Sequence, residues 1–183
     1  MAEILDICDE SGQPTGETVE RERAHREGIL HRTAHVWIVR RVRDEWEVLL
    51  QKRSTAKDSF PGLYDTSSAG HIPAGSEPVP SALRELSEEL GITARPEQLV
   101  PAGTFRIRFE EEFHGKLFRD NEVTFVYVYR EPVELSSLTL QESEVEEVRW
   151  FPVNELRRDL ERRRDVFCVP SEGFGLLCRF LGS

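Results

Sequence analysis

The chain has 183 residues, with 24 Lys plus Arg against 34 Asp plus Glu, a formal net charge of −10. That length fits one domain, and the acidic balance excludes a nucleic-acid groove, whose affinity comes from basic side chains neutralising phosphates. The longest apolar run, Phe125–Tyr129, is far too short to span a bilayer. The first residues carry no signal-peptide pattern, and three unclustered cysteines (Cys8, Cys168, Cys178) make neither a disulfide framework nor a zinc knuckle. The expectation is a soluble cytoplasmic protein with no nucleic-acid or membrane partner. An anionic small molecule stays open as a partner, because a divalent metal can bridge it to carboxylates.

In chain order, Ile4–Cys8 and Thr15–Val19 flank a turn-rich hexapeptide and predict a hairpin. Residues 21–31 read as a charged connector. Residues 1–32 are therefore expected to form an N-terminal hairpin and connector belonging to the same unit as a main domain at 33–183. His35–Arg40 and Trp46–Gln51 form a second expected hairpin around Arg43-Asp44-Glu45. A loop at 59–64 leads into a short strand at Asp65–Ala69. Glu77–Leu90 is the clearest helix: Val79, Ala82, Leu83, Leu86 and Leu90 make one apolar stripe, Pro78 and Pro80 fall in its first turn, and Gly91 stops it. Strands are expected at Gly103–Phe109, Glu122–Tyr129 and Val145–Phe151; the bland alternative for Asp120-Asn121 is a turn before the second of these. A helix is expected at Asn154–Arg163. The apolar tail Val166–Leu181 would pack on the body or serve a homodimer contact. The whole reads as an α/β sandwich around a mixed sheet.

The polar side of the 77–90 helix carries Glu85, Glu88 and Glu89 within roughly a 100° arc. Two unit charges about 4 Å apart repel by roughly 4 kcal/mol at an effective dielectric of about 20. Such a cluster must take up protons, splay into water or hold a cation. Oxygen-only ligands suit Mg²⁺, with Mn²⁺ as the alternative.

The glycine loop Gly70-His-Ile-Pro-Ala-Gly75 and the helix after it resemble the Nudix box: Gly, five residues, Glu, seven residues, then Arg-Glu-U-x-Glu-Glu-x-Gly-U, where U is aliphatic. Gly70, Arg84, Glu85, Leu86, Glu88, Glu89, Gly91 and Ile92 fall on that pattern. Ser76 stands where the family has its first Glu. Glu77, one residue later, is a candidate substitute, and Ser76 is otherwise a candidate helix cap. The resemblance implies a Nudix-type α/β/α sandwich and hydrolysis of a pyrophosphate linkage in a small organic diphosphate, nucleoside-type or other. It places metal on Glu85, Glu88, Glu89 and the Gly70 carbonyl, and Arg84 in support. Glu88, Glu89 and Glu144 remain as candidate general bases.

Within the family the chain is most similar to the branch of type I isopentenyl-diphosphate isomerase. That likeness implies a second metal site from His25, His31, His71, Asp120 and Glu122, and a diphosphate grip from Arg53 and Lys57. The isomerase has a catalytic cysteine where this chain has Ala69, which favours a hydrolase on an isomerase-like frame. The alternatives are an isomerase-like enzyme or a non-catalytic diphosphate-binding domain. Arg106, Arg108 and Lys116 are expected on the leaving-group side, and Trp37, Phe60 and Tyr64 are candidate stacking residues.

Overall fold

The computed structural model describes residues 2–182. The expected N-terminal hairpin is β1 (Ile4–Cys8) and β2 (Pro14–Glu20), followed by a short helix α1 (Arg21–Glu27). The main sheet contains β3 (His31–Val42), β4 (Glu45–Arg53), β5 (Tyr64–Asp65), β6 (Ser68–His71), β7 (Leu99–Phe113), β8 (Lys116–Tyr129) and β9 (Val145–Pro152). Its order is β5-β4-β3-β8-β7, with β6 on β3 and β9 on β4. β3 and β8 run parallel while the other pairs are antiparallel, so the sheet is mixed as expected.

Strand β3 is central and buried on both faces from His31 to Val39, and strand alternation gives each face its own role. Ala34, Val36 and Ile38 join a core covered by α2 (Pro78–Leu90). On the other face Trp37 and Val39 join a core covered by α3 (Val153–Asp159) and α4 (Ser171–Leu181). The apolar tail is spent there: Phe174, Leu177 and Cys178 are buried in that core, with Leu176 and Phe180 packed against it.

Several boundaries move for identifiable reasons. The strand expected at 65–69 is two strands, because β3 and β4 splay apart. Asp65 pairs with Gln51 of β4 while Ser68 pairs with Val36 of β3. Ser67 sits in the fork, accepting from the Ile38 N–H at 2.8 Å and donating to the Leu49 carbonyl, so the backbone groups freed by the splay stay satisfied. Asp120-Asn121 is no turn: β7 and β8 form one long hairpin that reverses at His114-Gly115, both at positive φ, as tight hairpin turns require. The helix expected at 154–163 ends at Asp159. Among the described residues no helix is long and apolar enough to cross a membrane.

Candidate functional site

The fork between β3 and β4 opens into a cleft of about 570 Å³, within the size range of small-molecule sites. Its walls carry nine carboxylates against five Lys and Arg.

Helix α2 delivers two of its three glutamates inward. Glu89 is 4% exposed; its Oε2 accepts from the Ser68 hydroxyl at 2.7 Å, the Ala69 N–H at 3.2 Å and the Gln51 amide at 3.4 Å. Burial outweighs those bonds and pushes the carboxyl up to about 7. Glu85 lies directly against Gly70, where any Cβ would overlap its carboxyl group. The box glycine is therefore a matter of space, since its φ is not in the left-handed region. Burial raises the Glu85 carboxyl while Arg84 opposes the rise. Glu88, with its side chain 56% exposed, stays at the rim, 3.6 Å from Arg84. Arg84 bonds Glu85 and donates to the His71 carbonyl at 3.1 Å, which ties helix to loop.

Neither expectation for the missing box glutamate holds. The N-cap residue of α2 is Glu77, which makes no capping bond, is exposed and does not line the cleft. Ser76 caps nothing; its carbonyl accepts from Arg32 at 2.9 Å. That same Arg32 nitrogen donates to Asp6 at 2.9 Å, and Asp6 also accepts the Gly75 N–H at 2.9 Å. The box loop is thus pinned by the N-terminal hairpin through a buried ion pair. Asp6→Ala leaves the Arg32 charge buried and unpaired, a loss of about 3–5 kcal/mol. Urea unfolding measures it, and a loss below about 1 kcal/mol contradicts the assignment.

The second set of residues meets on the other side of Gly70. One ligating atom each from His25, His31, His71 and Glu122 lies within 4.8 Å of the others. His25 comes from α1, His31 from β3, His71 from β6 and Glu122 from β8, residues far apart in sequence. His31 Nδ1 faces the Ile29 carbonyl at 2.8 Å and His25 Nδ1 the Arg21 carbonyl at 3.0 Å. A carbonyl accepts only, so both rings carry their proton on Nδ1 and turn the Nε2 lone pair inward. His31 Nε2 is buried without a partner, as is Asp120 Oδ1, 3.9 Å from His25. Burial drives His25 down to about 4 and His71 well below its ordinary value; the neutral imidazole is the ligating form. Burial beside Glu122 raises Asp120 to about 9. Three nitrogens with carboxylate oxygen is a donor set suited to Mn²⁺, Fe²⁺ or Zn²⁺, and the orphaned His31 Nε2 fits an inward-facing ligand.

The predicted grip is already engaged. Arg53 bonds Asp65 at 3.1 Å and the Ser59 carbonyl at 3.0 Å, and Lys57 pairs with Glu144. Both still line the cleft, where they hold the 54–63 loop in place. Arg106 and Arg108 contribute to the cleft wall, but strand alternation turns their side chains away from the face of Ile107 and Phe109, and Asn121 holds Arg106 at 2.7 Å. Lys116 is exposed at the hairpin end, outside the cleft. Of the stacking candidates, Trp37 is fully buried core, Tyr64 packs in the same core and bonds Glu147, and Phe60 alone lines the cleft.

Sequence reasoning missed His35, Cys168, Phe109 and Phe118, all of which line the cleft. It also missed Gln51 and Ser68, which hold Glu89. Ser68 stands two residues before the box glycine, a position that points to it. Phe109 and Phe118 are legible only once β7 and β8 are seen as one hairpin.

Residues 30–168 match the NUDIX domain. The chain belongs to the Nudix family. An uncharacterised Nudix hydrolase of Clostridium acetobutylicum is 39% identical over 172 residues, covering 94% of this chain and 80% of the relative. The isopentenyl-diphosphate Delta-isomerase of Aliivibrio fischeri strain MJ11 is 31% identical over 170 residues, covering 92% and 91% respectively. Among solved structures, DR0079 of Deinococcus radiodurans shares the Nudix fold, with a TM-score of 0.69 at 17% identity over 96% of this chain and 98% of that one.

Proposed function

We propose that this Nudix protein is a divalent-metal-dependent pyrophosphohydrolase acting on a small organic diphosphate. One observation carries the reading: Glu85 and Glu89 converge on Ser68–Gly70 in a cleft whose carboxylates outnumber its cations. A diphosphate enters such a cleft only in the company of cations. Glu85, Glu89 and the Gly70 carbonyl would hold Mg²⁺ or Mn²⁺, with His25, His31, His71, Asp120 and Glu122 as the second site. Bound there, divalent ions supply phosphate charge neutralisation and a more acidic water.

The chain's own groups do the rest. Arg84 fixes the Glu85 rotamer and ties it to the loop. Ser68, Gln51 and the Ala69 N–H orient Glu89. Glu88, at the rim and outside the buried pair, is the carboxylate left to accept the proton of the attacking water. Glu144, committed to Lys57, closes the neighbouring loop instead.

A screen of nucleoside and other organic diphosphates tests the reading. Phosphate or nucleotide release is expected with Mg²⁺ or Mn²⁺ and is abolished by EDTA; release that survives chelation, or none from any diphosphate, rejects it. The three-histidine cluster favours a second reading, isomerisation, against which stands Ala69. Deuterium incorporation into isopentenyl diphosphate, with no phosphate released, selects that reading.

The histidine site has a separate prediction. Ligand binding at 100 times Kd stabilises the native state by about 2.7 kcal/mol. Saturating Mn²⁺ is expected to raise the melting temperature of the wild type, and His31→Ala is expected to lose most of that rise. An equal rise in both places the ion elsewhere.

A further inference from the structure

Among the buried polar side-chain atoms without a hydrogen-bond partner, Arg21 Nε, His35 Nδ1 and Asp120 Oδ1 belong to residues that line the cleft, and His31 Nε2 lies at the histidine corner. His31 and Asp120 meet at the histidine corner, and Arg21 has salt-bridge partners in Glu3 and Asp58. His35 remains. It is only 6% exposed, and it stands four residues beyond His31 on an extended strand, roughly 13 Å along at 3.3 Å per residue. It is not among the residues whose ligating atoms converge at the histidine corner.

Its neighbours say what does. His35 is directly opposite Ala69 across the β3–β6 pair, and facing residues of an antiparallel pair project to the same side. Ala69 is the residue whose N–H is taken by Glu89. The imidazole and the Ala69 methyl thus share the sheet face away from α2, while Glu89 reaches the same stretch of β6 from the α2 side, and both line the cleft. On its other flank is Val126 of β8, and Phe105 meets the ring edge-to-face at 5.9 Å. None of these neighbouring side chains offers a hydrogen bond. A buried polar ring left unsatisfied on the wall of a cleft is a group held ready for a ligand.

We infer that His35 is a substrate-contacting residue that hydrogen-bonds a phosphoryl oxygen of the diphosphate, in a subsite bounded by Ala69 and separate from the histidine corner. The inference rests on the hydrolase reading above and adds to it the residue that orients the phosphoryl group from the side opposite α2. A ring carrying one N–H and one lone pair makes this contact as a donor, and no proton need be transferred.

The test uses the full chain, Mg²⁺ and methylenediphosphonate, which cannot be hydrolysed at its bridge. His35→Ala is expected to weaken binding of this probe at least tenfold by calorimetry, with His35→Gln in between. The affinity of the histidine corner for Mn²⁺ is expected to be unchanged in both. Ala69→Leu keeps the imidazole and fills the space beside it, so it is expected to weaken the probe to a similar degree. If the wild type binds the probe and both His35→Ala and Ala69→Leu bind it equally well, the role of His35 is wrong while the hydrolase reading stands. If His35→Ala loses Mn²⁺ in parallel with the probe, the residue serves the metal corner and the separate subsite is refuted. If the wild type itself does not bind the probe with Mg²⁺, both readings fall.

Discussion

Glu89→Gln is expected to lower turnover by at least a thousandfold and, in metal-free protein at pH 8, to make the fold more stable. The loss of rate follows from removing a buried negative charge aimed at the metal and substrate; a thousandfold corresponds to about 4 kcal/mol of transition-state stabilisation. Glutamine keeps the acceptor oxygen for the Ser68 hydroxyl and the Ala69 N–H, so the local structure is retained. The gain in stability follows from titration. The folded carboxyl is raised from the ordinary 4.5 to about 7, so the native state holds its proton more tightly than the unfolded chain does. Stability is then greatest below pH 4.5 and falls as the pH rises through 7, because ionising Glu89 in its buried setting costs more than ionising it in water. The difference amounts to roughly 3 kcal/mol at 1.36 kcal/mol per pH unit. Urea unfolding of metal-free wild type and Glu89→Gln at pH 5 and pH 8 measures it. The variant gains at pH 8, and the gap narrows towards pH 5. A variant with wild-type turnover removes Glu89 from the site, and parallel stabilities across the range remove the buried charge from the account. With Mg²⁺ present the sign reverses, since the ion stabilises the ionised wild type alone.

The same residue shows how far the sequence carries. Helix periodicity put Glu85, Glu88 and Glu89 on one polar arc, and the Nudix resemblance named them as ligands. Periodicity treats that arc as solvated, however, and it cannot say that Ser68 and Gln51 come from two strands to receive Glu89. Those partners are brought near by the fork in β3 and β4, a tertiary event. The histidine set was legible through resemblance, because no spacing rule joins residues 25, 31, 71 and 122. The two arginines of β7 do reach the cleft wall, but a row of charges in sequence does not show that the two-residue alternation of a strand sets them on the face away from Ile107 and Phe109. Ser76 was judged by what its side chain lacks, while the fold uses its carbonyl, held by an Arg32 that also pairs with Asp6, seventy residues away in the hairpin. His35 was read only as the start of a strand. Its significance lies in having no partner, which no sequence pattern records.

Gly70→Ala separates space from strain and is expected to abolish most activity while leaving the fold nearly intact. The added Cβ would overlap the carboxyl group and the Cγ of Glu85, so Glu85 must swing out of the cleft. Gly70 has no positive φ, and alanine adopts its backbone without penalty; in the strand its smaller unfolded-state entropy even offsets part of the disturbance. Activity is expected to fall at least a hundredfold, about 3 kcal/mol, for a change in unfolding free energy of about 1 kcal/mol or less. Gly75→Ala is the converse control. Nothing lies within 4 Å of a Cβ there, but its φ is +75, so the cost is backbone strain of about 1–2 kcal/mol with Glu85 undisturbed. If Gly70→Ala retains full activity, the contact between loop and helix does not set the position of Glu85. If it unfolds the protein outright, the glycine serves the sheet and its role in the site is secondary. Steady-state rates and urea unfolding of the two variants side by side distinguish these outcomes, because the first should lose rate far more than stability and the second the reverse.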